Sequence, residues 1–133
     1  MPDYPLPGFS ATRENTPTEF VAEPRQDGHN YMGIMVDSGA RDAGNTPTTT
    51  LRAGLVMGKV SATGRHKQYD PSASDGTETA AGILMDQTKV VDAAGDASHN
   101  TSNLFVHGRV KEDNLHGLDS GAKADLAGQI IFV

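Results

Sequence analysis

Apolar residues in this chain gather in short runs, each bounded by clusters of Gly, Pro, Asp, Asn and Ser. Such spacing is that of strands joined by turns, because a helix repeats its apolar positions every three or four residues over ten or more. Tyr31 to Val36 reads as a first strand, bounded by Asp27-Gly28 and by Asp37-Ser38-Gly39. Arg41 to Thr50, polar and carrying Gly44, Asn45 and Pro47, reads as a loop. Leu55 to Val60 is a second strand, Ser61-Ala62-Thr63-Gly64 a turn, and Arg65 to Tyr69 a hairpin return. Asp70-Pro71 through Asp75-Gly76 forms a loop, and Ala80 to Met85 is a further buried run. Leu104 to Lys111 alternates, which sends Leu104, Val106 and Val110 to one face and Phe105, His107, Arg109 and Lys111 to the other. Asp119 to Ala127 is the plausible helix, with Asp119 or Ser120 as N-cap and Gly128 as stop. Gln129 to Val133 ends the chain as a strand. The pattern predicts a mainly β protein: a small, compact, barrel- or sandwich-like domain over residues 31–133, with one short helix near its C-terminus.

Residues 1–30 follow neither period. They hold five of the seven prolines (Pro2, Pro5, Pro7, Pro17 and Pro24), and proline removes backbone donors and favours extended chain. A solvated tail is the plain reading of such a terminus. Tyr4, Phe9, Phe20 and Val21 argue for more, since three of the chain's seven aromatics lie here. Extended segments with spaced apolar residues dock on a partner's surface or sheet edge and order on contact. The expectation is an N-terminal docking arm that uses these four residues.

Composition narrows the setting. The chain has 133 residues, enough for one ordinary domain, 36% hydrophobic residues and no cysteine. A small core without disulfide staples leans on oligomerisation. The net charge is −6, and the 11 basic residues are scattered instead of forming the patch that displaces counterions from phosphates, so direct nucleic-acid binding is disfavoured. No charged and then apolar leader opens the chain, and no apolar run approaches the roughly 20 residues of a membrane span. These features predict a soluble protein made in a cytoplasm.

Candidate chemistry is thin. Asp37-Ser38-Gly39-Ala40, after Ile34-Met35-Val36, resembles an aspartic-protease loop, and Asp119-Ser120-Gly121-Ala122 is a second copy. That chemistry needs two carboxylates sharing one proton. Two-lobed proteases need far longer chains, however, and Asp119 precedes a helical run that makes it a better cap than catalyst. Gly117-Leu118-Asp119-Ser120-Gly121 is superficially similar to a motif of trimeric dUTPases, but the Tyr-Arg-Gly that should follow is absent. His29, His66, His99, His107 and His116 are dispersed without metal-ligand spacing. Asp70, Ser72, Ser74 and Asp75 hint at a calcium loop, yet the glycine falls one place late at Gly76 and Ala81 stands where Glu should close it. No phosphate-binding glycine loop or nucleophile elbow occurs. No catalytic residue, cofactor or metal is expected.

An ordered set of segments carries a resemblance. Leu51-Arg52-Ala53-Gly54-Leu55-Val56-Met57-Gly58-Lys59-Val60 is followed by Tyr69-Asp70-Pro71, Ser74-Asp75-Gly76 and Ala80-Ala81-Gly82-Ile83-Leu84-Met85-Asp86. Val106-His107-Gly108-Arg109-Val110 and Leu126-Ala127-Gly128-Gln129-Ile130-Ile131-Phe132-Val133 complete it. Together these segments, spanning Leu51 to Val133, resemble the lambda-type phage head decoration proteins. The resemblance implies a homotrimer outside the expanded head, at three-fold and quasi-three-fold axes, stabilising it against packaged DNA. It further implies the major capsid protein as partner, the virion's outer surface as location and no enzymatic activity. The alternative from another class is a trimeric phage surface or fibre module displaying a ligand-binding face, for which Tyr31 and Tyr69 are the accessible aromatic candidates.

Overall fold

The computed structural model describes residues 30–133, and its longest strand organises everything else. In chain order the strands are β1 (Asn30–Val36), β2 (Thr50–Leu51), β3 (Val56–Lys59), β4 (His66–Gln68), β5 (Ala80–Leu84), β6 (Thr88–Lys89), β7 (Asn100–Val110) and β8 (Ile130–Phe132). A 3-10 turn at Glu112–Asn114 and one helix, α1 (Ser120–Leu126), lie between the last two. The main sheet runs β1-β4-β3-β5-β7-β8, and β1 also pairs with β7. That additional pairing closes β1, β4, β3, β5 and β7 into a five-stranded barrel. β8 adds to β7 outside the ring, while β2 and β6 form a separate two-stranded ribbon. The protein is mainly β with a single short helix, as the hydrophobic pattern predicts.

Two apolar clusters follow from this closure. One gathers Ile34, Val36, Met57, Leu84 and Leu104 from the barrel strands, with Ala40, Leu51 and Val90 supplied by the loop after β1 and by the β2–β6 region. The other lies beneath α1 and β8 and joins Val56, Ile83, Phe105 and Val110 to Ala122, Leu126 and Ile130. Ala122 and Leu126 are four residues apart and so share the face of α1 that meets the sheet.

β7 serves both clusters, and here strict alternation fails. Tyr31 pairs with Phe105 and Asn30 with His107, so Val106 has no partner across the ladder. This is a β-bulge. Gly108 follows with φ +139°, a conformation open mainly to glycine. Before the bulge, Leu104 and Phe105 face opposite clusters; after it, Val110 joins Phe105 beneath the helix. The simple alternation placed Val110 with Leu104, and the extra residue at the bulge is why that assignment is corrected. β7 also begins at Asn100, four residues before its first apolar position, because its polar start pairs along β1.

Local signals explain the other boundaries. Gly64, with φ +78°, turns the β3–β4 hairpin where Ser61-Ala62-Thr63-Gly64 predicts it, and its amide donates to the Val60 carbonyl at 2.8 Å. Asp119 is extended and accepts from the Ala122 amide at 2.8 Å, which makes it the N-cap of α1. Gly128, with φ +90°, carries the chain out of the helix into β8. Asp125 of α1 accepts from the Ala80 amide at 2.9 Å and ties the helix to the first residue of β5.

Candidate functional site

The residue types that invited catalytic readings are bound up in local structure. Asp37 Oδ1 accepts from the Gly39 amide at 2.7 Å, and the Ala40 amide donates to the Asp37 carbonyl at 2.9 Å. The motif is a turn at the end of β1, with Arg65 3.8 Å from the other carboxylate oxygen. Its second copy caps α1, and there Asp119 also accepts from the Tyr69 hydroxyl at 3.0 Å. The two carboxyls thus hold separate sets of partners, whereas acid proteolysis needs them to share a proton.

The acidic loop is organised in the same self-contained way. Asp70 accepts from the amide and hydroxyl of Ser72, and Asp75 from the amide and hydroxyl of Thr77. These hydrogen bonds hold both carboxyls below the usual carboxylate range. Among the described residues, no group of three or more His, Cys, Asp or Glu is placed to hold a metal ion. No helix among them is long and apolar enough to cross a membrane.

A pair that the polar pattern of residues 41–50 did not reveal is Asp42 with Arg52. Asp42 is buried, and Arg52 grips it with two guanidinium contacts of 2.8 and 3.0 Å while its amide donates at 3.1 Å. Burial alone would raise the Asp42 pKa; the side-chain and backbone hydrogen bonds from Arg52 outweigh it and hold the carboxyl below 3.8. The pair lines a cleft of about 360 Å³ with Arg41, Tyr69 and His116. Arg41 in turn donates to the Ser38 and Ala40 carbonyls at 2.9 and 2.7 Å. Both arginines therefore serve acceptors of their own chain, and the Asp42–Arg52 pair fastens the loop after β1 to the end of β2.

Among the described residues, the large apolar side chains left exposed lie at two strands. Tyr31, Met32 and Met35 of β1 are 48%, 50% and 41% exposed, and Ile131 and Val133 at β8 are 56% and 55% exposed. Tyr31 is thus open while Tyr69 spends its hydroxyl on Asp119, so of the two aromatic candidates only Tyr31 is a free platform. Along its second edge β1 meets β4 only at the Val36–His66 pair. Tyr4, Phe9, Phe20 and Val21, the arm residues singled out in the sequence, lie outside the described residues, but the chain that bears them enters the domain at this strand.

A family model described as bacteriophage lambda head decoration protein D matches residues 21–128. This chain is a member of that family. No curated protein matches it. Head decoration proteins are structural components of the phage capsid, so membership gives the chain a capsid-decorating role and a place in the virion. The match reaches back to residue 21, thirty residues ahead of the segments that carry the resemblance in sequence, and takes in all of β1.

Proposed function

We propose that this head decoration protein binds the outer surface of the expanded capsid as a homotrimer and holds neighbouring major capsid subunits together. The trimers occupy three-fold and quasi-three-fold positions, and the arm of residues 1–30 orders against the shell with Tyr4, Phe9, Phe20 and Val21 as its apolar contacts. The single observation that carries this reading is the family match over residues 21–128. Self-contained polar groups and an exposed apolar β1 beside the arm support it.

Stabilisation follows from linkage. A ligand that binds the assembled, expanded lattice and not its dissociated subunits shifts the equilibrium towards the lattice by mass action. Many modest interfaces acting together then resist the outward push of packaged DNA. Nucleic acid lies inside the shell and need not be touched, which suits a chain of net charge −6.

The test is to add purified chain to empty expanded heads and to unexpanded proheads, then measure co-sedimentation and the temperature at which packaged heads release DNA. Binding to expanded heads alone, with a raised release temperature, is the expected result. A monomer that ignores expanded heads sinks the proposal. Within it, the full-length double variant Tyr4→Ser with Phe9→Ser should bind heads at least ten-fold more weakly while melting at the same temperature. Unchanged binding would remove those residues from the contact.

A further inference from the structure

A ring of three identical subunits cannot be closed by one self-complementary patch: each subunit must offer two different surfaces, one to the neighbour on either side. The five large apolar side chains left exposed among the described residues divide in that way. Tyr31, Met32 and Met35 belong to β1, and Ile131 and Val133 lie at β8. Tyr31 pairs across the ladder with Phe105, which packs beneath the helix, so Tyr31, Gly33 and Met35 point to the helix-side face of the sheet. Met32 alternates to the side of Ile34. At the other end of β7 the helix side is taken by Val110 and by Ile130 of β8. Ile131 and its ladder partner Arg109 therefore point to the reverse face. Thr101, opposite Met35, and Arg109, opposite Ile131, stand eight positions apart along β7, or about 25 Å.

The polar neighbours of the two groups carry opposite charge. Arg109 stands beside Ile131, and Val133 exchanges backbone hydrogen bonds with Val110 and Glu112, which sets Lys111 beside it. Both cations are exposed, and neither has a hydrogen-bond or ion-pair partner among the described residues. Two unpaired cations in a chain of net charge −6 suit a partner bearing carboxylates. Near Met35 that group is Asp86, which lines a groove with Gly33, Thr101 and Asn103 and takes one long contact, 3.3 Å, from the Asn103 amide. Lys89 lies at the far end of the same groove, where Asn100 donates to its carbonyl at 2.9 Å. Gly33 leaves the surface hollow between Tyr31 and Met35, since a Cβ there would meet nothing within 4 Å. Aliphatic side chains flanked by cations fit an apolar hollow flanked by a carboxylate, and one chain carries both halves.

We propose that Ile131, Val133, Arg109 and Lys111 of one subunit dock on Tyr31, Met35 and Asp86 of a second copy, with Ile131 seated over the bare Gly33. The contact is head to tail, because the two surfaces lie on different faces of the subunit, and such contacts close into a ring when the rotation between neighbours allows it. This inference rests on the homotrimer reading and names the surfaces that build the trimer. A second copy is the occupant because its surface answers the first in both apolarity and charge. Withdrawing the aliphatic side chains from water supplies the binding free energy, and the cation–carboxylate pairs fix which face meets which.

The chain has no cysteine, which makes cross-linking clean. In the full chain, Met35→Cys with Ile131→Cys is treated with a short bis-maleimide. The two positions are too far apart within one subunit to be bridged, so cross-links should run between copies and build covalent species of two and three chains. Each single variant should stay at one chain, because like positions do not meet in a head-to-tail contact. Cross-linking by a single variant alone overturns the proposal, and so does a double variant that cross-links no faster than Met35→Cys with Ser74→Cys. Sedimentation of the unsubstituted chain keeps the two readings apart. A mass of three chains without the Met35–Ile131 cross-link would leave the homotrimer standing and overturn these surfaces, whereas a mass of one chain would overturn both. Charge gives a second test: Arg109→Glu with Lys111→Glu should raise the dissociation constant at least ten-fold, and adding Asp86→Lys should recover part of that loss. An unchanged constant, or no recovery, overturns the proposal.

Discussion

The two sides of the barrel handle their apolar surface in opposite ways. Beneath α1 and β8, Phe105, Val110, Ala122, Leu126 and Ile130 are almost wholly withdrawn from water. On β1, Tyr31, Met32 and Met35 keep between 41% and 50% of their surface exposed. Both sides are carried by the same strand, β7, which pairs with β1 from Asn100 to His107 and with β8 from Gly108 to Val110. The difference is in what lies on top: the helix covers one side, and no described element covers the other. Burial is where folding free energy is collected, so the helix-side cluster holds the domain together jointly with the cluster that takes in Ile34 and Val36 from the inner face of β1. The outer face of β1 contributes little to that sum.

The helix side is most sensitive at Phe105. Truncating a fully buried Phe removes its transfer free energy and leaves a cavity, a cost of about 3–5 kcal/mol. Phe105→Ala should therefore lose that much in denaturant unfolding, while Met35→Ala, half-exposed on β1, loses less than about 1 kcal/mol. Equal losses would mean that Met35 is as much core as Phe105. Gly82 of β5 probes the same wall from the opposite direction. A Cβ there would stand 2.7 Å from both the Leu104 side chain and the Phe105 carbonyl. Overpacking of a dense core costs about 1–3 kcal/mol, and Gly82→Ala should fall in that range by thermal denaturation.

Arg52→Ala should come next. It strands the buried Asp42 carboxylate, and breaking a fully buried pair costs about 3–5 kcal/mol. Because Arg52 keeps a third of its side chain in water, about 2 kcal/mol is the expected loss in the same unfolding experiment.

These predictions also show what could be read from residues alone. Six of the eight strands, the Ser61–Gly64 turn and the capped helix are local features, legible from apolar runs and from turn chemistry. β2 and β6 were not, because two-residue strands at Thr50–Leu51 and Thr88–Lys89 have too few positions to show a period. The bulge at Val106 was hidden for another reason. It depends on how β7 matches β1, seventy residues away in sequence, and only Gly108 hinted at it. Asp42 looked like any loop carboxylate, since its partner Arg52 lies across the β2 segment and nothing local marks the pair. The exposed apolar face of β1 was legible only as a strand: that Tyr31, Met32 and Met35 stay open while Ile34 and Val36 are buried is a property of the closed barrel.

Acid should reveal a smaller, graded difference between the strands. His66 of β4 is buried next to Val36 of β1, and its Nδ1 atom has no hydrogen-bond partner. Burial, with Lys59 assisting, holds its pKa below 6.5. Above pH 6.5 the ring is neutral in folded and unfolded chains alike, and it costs nothing. As pH falls through 6.5 the unfolded chain takes up a proton that the folded chain resists, so stability declines until the lower, folded value is passed. His116, lowered by burial and by Arg52, acts in the same direction. Asp42 has the opposite charge type and a lower window: its contribution is complete above 3.8 and is lost as pH drops through the folded value. Melting temperatures recorded from pH 8 to pH 3 should therefore begin to fall near 6.5 and fall further below 3.8. His66→Met should shrink the fall that begins near 6.5 and spare the fall below 3.8, and a profile unchanged by that variant would remove His66 from the account.

The smallest effects are expected at the two Asp-Ser-Gly copies, one on each side of the comparison. Asp37 follows β1 directly and Asp119 is the N-cap of α1. Each carboxylate accepts an amide two or three residues ahead, at 2.7 Å for Gly39 and 2.8 Å for Ala122. Asn keeps an oxygen acceptor in the same place, so Asp37→Asn and Asp119→Asn should each cost no more than about 1 kcal/mol. Asp119→Asn should cost the more, because it also weakens the Tyr69 contact that joins β4's end to the helix cap. Head binding should be unchanged in both, since neither substitution alters an apolar residue of β1 or of the arm. A paired carboxylate dyad would behave otherwise: either change would abolish an acid-dependent peptide cleavage and leave the melting temperature nearly where it was. Measuring cleavage and melting side by side in both variants separates a turn and a cap from a catalyst.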